Sequence, residues 1–130
     1  MPRQPSQMLT DAELRVMNSL WDLGPSTVAG VVATIRHRPR PAYNTVLTLL
    51  RILEQKGYTA HEKTGRAFVY RAVVDRTDAR QRALRHLVGR FFGDSPALLV
   101  LNVLRDERID PAELARLRQL IHQAKESDWE

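Results

Sequence analysis

Short polar side chains recur along one face of a leucine-rich segment that runs from Ala42 to Lys56. Asn44, Thr48 and Arg51 are spaced so that an α-helix would place them in one stripe, with Thr45 beside it. Asn can form two hydrogen bonds with adenine, Thr offers a hydroxyl and a methyl group, and Arg binds guanine or a phosphate. The stripe therefore predicts a helix that contacts DNA, although an ordinary solvated helix face has the same appearance.

A basic hairpin is predicted immediately after this helix. Two short runs, residues 58–63 and 66–72, have strand-like composition and flank the turn Thr64-Gly65. Lys63 and Arg66 would lie near that turn, where they could reach the DNA backbone or the minor groove. The alternative is that these charges only keep the edge of a sheet soluble.

Other kinds of chemistry find little support in the residues. The chain has no cysteine, which excludes disulfides, thiolate metal sites and cysteine nucleophiles. No nucleophile elbow or phosphate-binding loop is present, so an enzyme is not expected. No metal or cofactor is expected either, because the histidines lack metal-ligand spacing: His37, His61, His86 and His122.

The net charge of +5 lies entirely in the first part of the chain. Residues 1–74 contain ten Lys or Arg and five Asp or Glu, whereas residues 75–130 contain ten of each. A basic part joined to a balanced part favours one surface for a polyanion and another for protein contacts. There is no apolar run long enough to cross a membrane and no signal peptide, so we expect a cytoplasmic protein without membrane insertion.

Two further helices must position the polar stripe. Thr10 and Glu13 have the spacing of a capping box and open a first helix that ends at Gly24-Pro25. Its apolar face is expected to contain Leu14, Met17, Leu20 and Trp21. Ser26 or Thr27 caps a shorter second helix, and two prolines then mark the turn before the polar helix.

The C-terminal part is expected to form three helices and a dimer interface. The segments lie at about residues 76–92, 96–106 and from residue 110 onward. Their apolar faces are too large to be hidden within one chain, which usually marks an interface. The residues expected to form it are Phe91, Phe92, Leu98, Leu101, Leu117 and Ile121.

The order of these elements is typical of a winged helix-turn-helix. The fold class expected is mainly α with a small β-hairpin, comprising a DNA-binding domain of residues 1–74 and a helical dimerisation domain of residues 75–130. A major groove admits one such helix, and a dimer would place two helices on paired half-sites. A different hypothesis is a winged-helix module that binds a protein partner and has no sequence-specific DNA binding.

Three stretches closely resemble the penicillinase-repressor (BlaI/MecI) family of bacterial transcriptional regulators. They are LTDAELRVMNSLWDLGPSTVAGVVATI, AYNTVLTLLRILEQKGY and GRAFVYRA, and the resemblance continues weakly to about residue 125. It implies a homodimer that binds an inverted-repeat operator in double-stranded DNA and represses transcription. Tyr43, Thr45, Thr48 and Arg66 match the family's DNA-facing positions. Asn44 stands where the family usually has Thr or Ser, which bears on the bases preferred.

The resemblance also bears on how repression ends. In antibiotic-responsive members, a membrane-bound sensor metalloprotease leads to cleavage at an Asn-Phe bond in the dimerisation region. Asn102-Val103 occupies the similar position here, with Val in place of Phe, and such a pair is also ordinary in a helix. Copper sensing through the Cys pair of other relatives is excluded, because the chain lacks cysteine.

Overall fold

The computed structural model describes residues 8–127 of the 130-residue chain, and the side chains of residues 8–124. The described residues form six helices and three short strands. Their order is α1 (Asp11–Leu23), β1 (Ser26–Thr27), α2 (Val28–Thr34), α3 (Tyr43–Gln55), β2 (Thr59–Thr64), β3 (Ala67–Ala72), α4 (Arg76–Phe91), α5 (Pro96–Leu104) and α6 (Pro111–Ser127). This confirms the fold class: mainly helical, with a small sheet.

Helix α1 begins with the predicted capping box. The Thr10 hydroxyl accepts a hydrogen bond from the Glu13 backbone N–H at 3.2 Å, and a Glu13 carboxylate oxygen accepts one from the Thr10 backbone N–H at 3.4 Å. Two N–H groups that a helix start leaves without partners are thereby satisfied. The helix ends at Leu23, and its C-cap residue is Gly24, as the sequence indicated.

Strand β1 was not predicted from the sequence. It has only two residues and pairs antiparallel with β3, with Ser26 opposite Tyr70 and Thr27 opposite Val69. Thr27 has a second role, because its hydroxyl accepts a hydrogen bond from the Gly30 N–H at 3.1 Å and caps α2. The hairpin is therefore part of a three-stranded sheet with the order β1-β3-β2.

Helix α3 ends just before a glycine with a positive φ. Gly57 has a φ of +86°, a conformation that costs residues with a Cβ about 1–2 kcal/mol. Its N–H donates to the carbonyl of Glu54, and the N–H of Tyr58 donates to the carbonyl of Leu53. The turn thus leads the chain from α3 directly into β2.

Two glycine substitutions should have opposite effects on stability. Gly57→Ala is expected to lower the free energy of unfolding by about 1–2 kcal/mol because of its φ. Gly30→Ala is expected to raise it by about 0.5–1 kcal/mol, because Gly30 lies within α2 and an added Cβ would meet Thr27 Oγ1 at 3.4 Å, ordinary contact. Urea denaturation followed by circular dichroism measures both. Equal changes for the two variants would contradict this account.

The core of the first part packs α1, α2 and α3 against the sheet. Its fully buried side chains include Val16, Met17, Leu20, Val31, Val46, Leu50, Leu53 and Tyr70. One expectation was wrong: Leu14 was expected on the apolar face of α1 but is 41% exposed, and Val16 is buried there instead. Tyr43, at the first residue of α3, is 52% exposed.

A buried ion pair joins the start of α1 to the end of α3. Lys56 Nζ lies 2.9 Å from Glu13 Oε1 and 2.7 Å from Oε2, and the two side chains are only 5% and 4% exposed. The ammonium also donates to the carbonyl of Met8 at 2.9 Å. Oε2 has no hydrogen bond of good geometry, so the attraction at that oxygen is electrostatic.

The chain divides into two compact units after His86, within α4. This division lies later than the break expected near residue 74, because the first turns of α4 pack on the core through Ala79. Which residues act as DNA-binding and dimerisation domains stays a prediction. In the second unit, α5 is capped by Ser95, whose hydroxyl accepts from the Leu98 N–H at 3.1 Å.

Membrane-spanning character is weak in the residues that the structure describes. No single helix there is both long and apolar enough to cross a bilayer. Helices α4 and α5 reach the required length and composition only when they are taken together across a bend.

Candidate nucleic-acid interface

Helix α3 presents the predicted polar stripe to solvent. Asn44, Thr45, Thr48 and Arg51 are all exposed, whereas Val46, Leu50 and Leu53 on the opposite face are buried. The helix is therefore anchored by its apolar side, while the side chains of Asn44, Thr45 and Thr48 face the solvent. Asn44, Thr45 and Thr48 also line one shallow surface groove together with Leu49.

Individual groups on this face are partly preorganised. The Thr48 hydroxyl donates to the Asn44 carbonyl at 2.9 Å, which fixes its rotamer and leaves its oxygen lone pairs available as acceptors. Tyr43 is exposed at the start of the helix, so its ring does not contribute to the core. The side chains of Asn44 and Thr45 remain open to a ligand.

The hairpin β2–β3 carries the two predicted wing residues. Lys63 lies in β2 opposite Phe68 of β3, and Arg66 lies in the turn between the strands. Both side chains are exposed. A wing with cations at its tip has the shape and charge to contact a phosphate backbone.

A side-chain bridge connects α3 to the wing. His61 Nδ1 of β2 lies 2.6 Å from Glu54 Oε1 of α3. The His61 ring also contacts the rings of Tyr70 and Phe68, with centroid distances of 5.1 Å and 5.4 Å. The sequence did not predict this bridge, because the partners of His61 lie in two other elements, α3 and β3.

Tyr70 lies at the centre of the sheet beside the same bridge. Burial raises the pKa of its hydroxyl above the usual value, and the nearby Glu54 carboxylate adds to the rise. Arg51 opposes this through its charge and a hydrogen bond, so the guanidinium lies close to the hydroxyl. The tyrosine consequently stays neutral at physiological pH, and its hydroxyl is a fixed hydrogen-bond partner for Arg51.

The connection between α2 and α3 adds basic residues that were not among the predicted site residues. Residues 36–40 are exposed throughout and contain Arg36, His37, Arg38 and Arg40 directly before α3. Three arginines among five residues are a sequence signal for contact with a polyanion, but the segment was interpreted only as a turn. Within residues 8–127, no group of three or more His, Asp or Glu side chains is arranged to hold a metal ion.

The predicted dimerisation residues are accessible in the second unit. Phe91 is 67% exposed, and Leu98, Leu101 and Ile121 are also exposed, while Phe92 and Leu117 are half-buried. The suggested cleavage pair lies inside α5. Asn102 is exposed and its amide donates to the Leu98 carbonyl at 2.8 Å, and Val103 is half-buried.

Helices α1 to α3, the last with its exposed polar face, and the small antiparallel sheet define a winged-helix protein. Residues 9–123 match the sequence profile of the family described as Penicillinase repressor. The chain therefore belongs to the penicillinase repressor family, whose members are transcriptional repressors.

Relatives with known names extend over nearly the whole chain. The chain is 28% identical to the penicillinase repressor of Bacillus licheniformis over 117 residues, which cover 90% of this chain and 91% of that protein. It is 23% identical to the methicillin resistance regulatory protein MecI of Staphylococcus aureus (strain N315), over 88% of this chain and 93% of that one.

One similar solved structure is the DNA-binding domain of the repressor BlaI. It is 32% identical, covers 60% of this chain and 93% of its own, and has a TM-score of 0.48.

Proposed function

We propose that the chain is a dimeric, sequence-specific transcriptional repressor that inserts α3 into the major groove of an inverted-repeat operator. The observation that carries the proposal is the face of α3 described above, whose Asn, Thr and Arg side chains are exposed to solvent, with Arg51 held beside the Tyr70 hydroxyl. These side chains suit base edges, and Lys63 and Arg66 of the wing suit the flanking phosphates. Membership of the penicillinase repressor family supports the proposal that DNA binding represses transcription.

The second unit supports a dimer because it lacks a core of its own. Every residue of α5 except Asn102 is apolar, yet none of them is buried. Among residues 87–124, only Val88 is buried. Apolar surfaces of this kind on a repressor suit a two-fold interface with a second copy of the chain. Such pairing would hold two copies of α3 on successive half-sites.

Removing a predicted DNA-contacting charge should weaken binding without changing the fold. Arg51→Ala and Arg66→Ala are each expected to lower operator affinity by about tenfold or more, and the loss of a phosphate contact should reduce the salt slope by about one. The measurement is a gel shift at several salt concentrations, with a duplex selected from a random pool by the wild-type chain.

A matched control is Arg108→Ala, which removes the same charge from an exposed side chain that, within the described residues, pairs only with Asp106 two residues away. It should bind like the wild type. If Arg51→Ala, Arg66→Ala and the control all bind like the wild type, α3 and the wing are not the interface. Weak binding to every duplex, with no selected sequence, would favour the protein-interaction module.

We further propose that proteolysis of the chain relieves repression. This route requires a membrane sensor metalloprotease as partner. Cutting after Asn102 would separate α6 from the rest of the chain and remove part of the proposed dimer surface. Because Asn102 and Val103 lie within a regular helix, α5 must unwind locally before a protease can take the bond in extended form. A gene for such a protease beside the gene of this chain would support this route.

A further inference from the structure

A half-open cavity lies in the first unit, between the start of the described chain, α1 and the first half of α4. Its volume is about 400 Å³. This falls in the range of small-molecule sites and is too small for a helix of a partner protein. Most of the residues that line it are apolar, and two of these have aromatic rings. The apolar lining residues include Leu9, Leu14, Trp21, Tyr58, Ala79 and Ala83.

The cavity explains the unexpected exposure of Leu14. That side chain continues the apolar face of α1 beyond the core and contacts the cavity instead of another element. Trp21 is held in place, because its indole N–H donates to the carbonyl of Val74 at 2.9 Å. Tyr58 is 2% exposed and Ala79 8%, so this part of the wall is fixed. The site is therefore preformed rather than a gap between mobile side chains.

The polar groups at the cavity favour one negative charge. Arg76 is already neutralised, since its guanidinium lies 2.8 Å from a carboxylate oxygen of Asp22 and 5.3 Å from the Trp21 ring centroid. Arg80 has no ion-pair partner among the residues that the structure describes. The Asn18 side chain, also in the wall, likewise makes no hydrogen bond there. A carboxylate can accept hydrogen bonds from both a guanidinium and an amide.

We propose that this cavity binds a small organic monoanion with a flat apolar body, such as an aromatic carboxylate, with Arg80 as the main anion-binding residue. The rings of Trp21 and Tyr58 would contact the flat body, and Asn18 would donate a second hydrogen bond to the anion. This site is separate from α3 and the wing. The proposal does not depend on DNA binding, and its test uses no DNA.

The test is isothermal titration of the full chain with 2-naphthoate and with 2-naphthalenemethanol, which has the same rings without the charge. The carboxylate is expected to bind with a Kd on the order of 0.1 mM, and the neutral alcohol about tenfold more weakly. Arg80→Gln should reduce carboxylate affinity to the level of the alcohol, and Arg80→Lys should restore part of it. Arg85→Gln, a charge-matched change on the same helix outside the cavity wall, should leave it unchanged.

A second variant tests the location. Ala83→Phe would fill the cavity and should abolish binding of both compounds, while the thermal unfolding midpoint shows whether the chain remains folded. Equal binding of the two compounds, unchanged binding by Arg80→Gln, or no binding at millimolar concentrations would overturn the proposal.

Discussion

Lys56→Met is expected to lower the free energy of unfolding by about 3–5 kcal/mol, the largest single effect on stability that we anticipate. The substitution leaves the Glu13 carboxylate buried, with its side chain 4% exposed and its cation removed. The side chain of methionine has similar length and adds no cavity, so the loss reports the uncompensated charge. Because a domain of this size is stable by only about 5–15 kcal/mol, the first unit should unfold at markedly lower urea concentration.

The contribution of the Glu13–Lys56 ion pair to stability can be distinguished from the general effect of losing a lysine. In the double variant Glu13→Gln/Lys56→Met, the buried charge is gone and Gln can still complete the capping box with Thr10, so at least about 2 kcal/mol should return. Lys63→Met removes an exposed lysine of the wing and should change stability by less than about 0.5 kcal/mol. A double variant as unstable as Lys56→Met would show that packing of Lys56, rather than charge pairing, matters.

Leu101→Glu should convert the proposed dimer to a monomer and lower affinity for a two-half-site operator by about a hundredfold or more. The substitution places a carboxylate on α5, none of whose apolar residues is buried within the described chain, and burying that charge in an interface is costly. In the proposed dimer, binding of one α3 to its half-site raises the effective concentration of the other α3 at the second half-site. This gain in affinity is lost when the dimer dissociates. Sedimentation equilibrium gives the oligomeric state, and gel shifts give the affinity.

Binding to a duplex with a single half-site distinguishes loss of the dimer from damage to α3. The variant should bind a one-half-site duplex like the wild-type monomer, because α3 belongs to the other unit. Leu23→Glu is the matched control: Leu23 is a comparably exposed leucine, at the end of α1, outside the proposed dimer surface. A variant Leu101→Glu that still sediments as a dimer would remove α5 from the interface.

Local sequence signals predicted much of the fold. The capping box of Thr10 and Glu13, the glycine after α3 and the glycine of the hairpin turn each specify backbone geometry within a few residues, although the turn consists of Gly65 and Arg66 and lies one residue later than predicted. The helix bounds therefore agree with the expectations to within a few residues. The exposed positions of α3 also followed from helical periodicity, because its apolar residues can be buried on one face only.

Features that depend on distant partners could not be predicted in the same way. Strand β1 exists because Ser26 meets Tyr70 across a large separation in sequence, and two residues carry no strand pattern. Lys56 has the sequence position of a solvated lysine at a helix end, and only the three-dimensional fold brings Glu13 to it. The contact of His61 with Glu54 and Tyr70 has the same origin.

Among residues 8–127, the strand order β1-β3-β2 leaves one edge of β2 without a hydrogen-bonded strand beside it. An open strand of this kind could recruit the same strand of another molecule and start aggregation. Here Glu62 and Lys63 are exposed along it, and stacking identical copies in register would bring like charges together. The wing can thus remain unpaired and available in a crowded solution without acting as a template for fibrils.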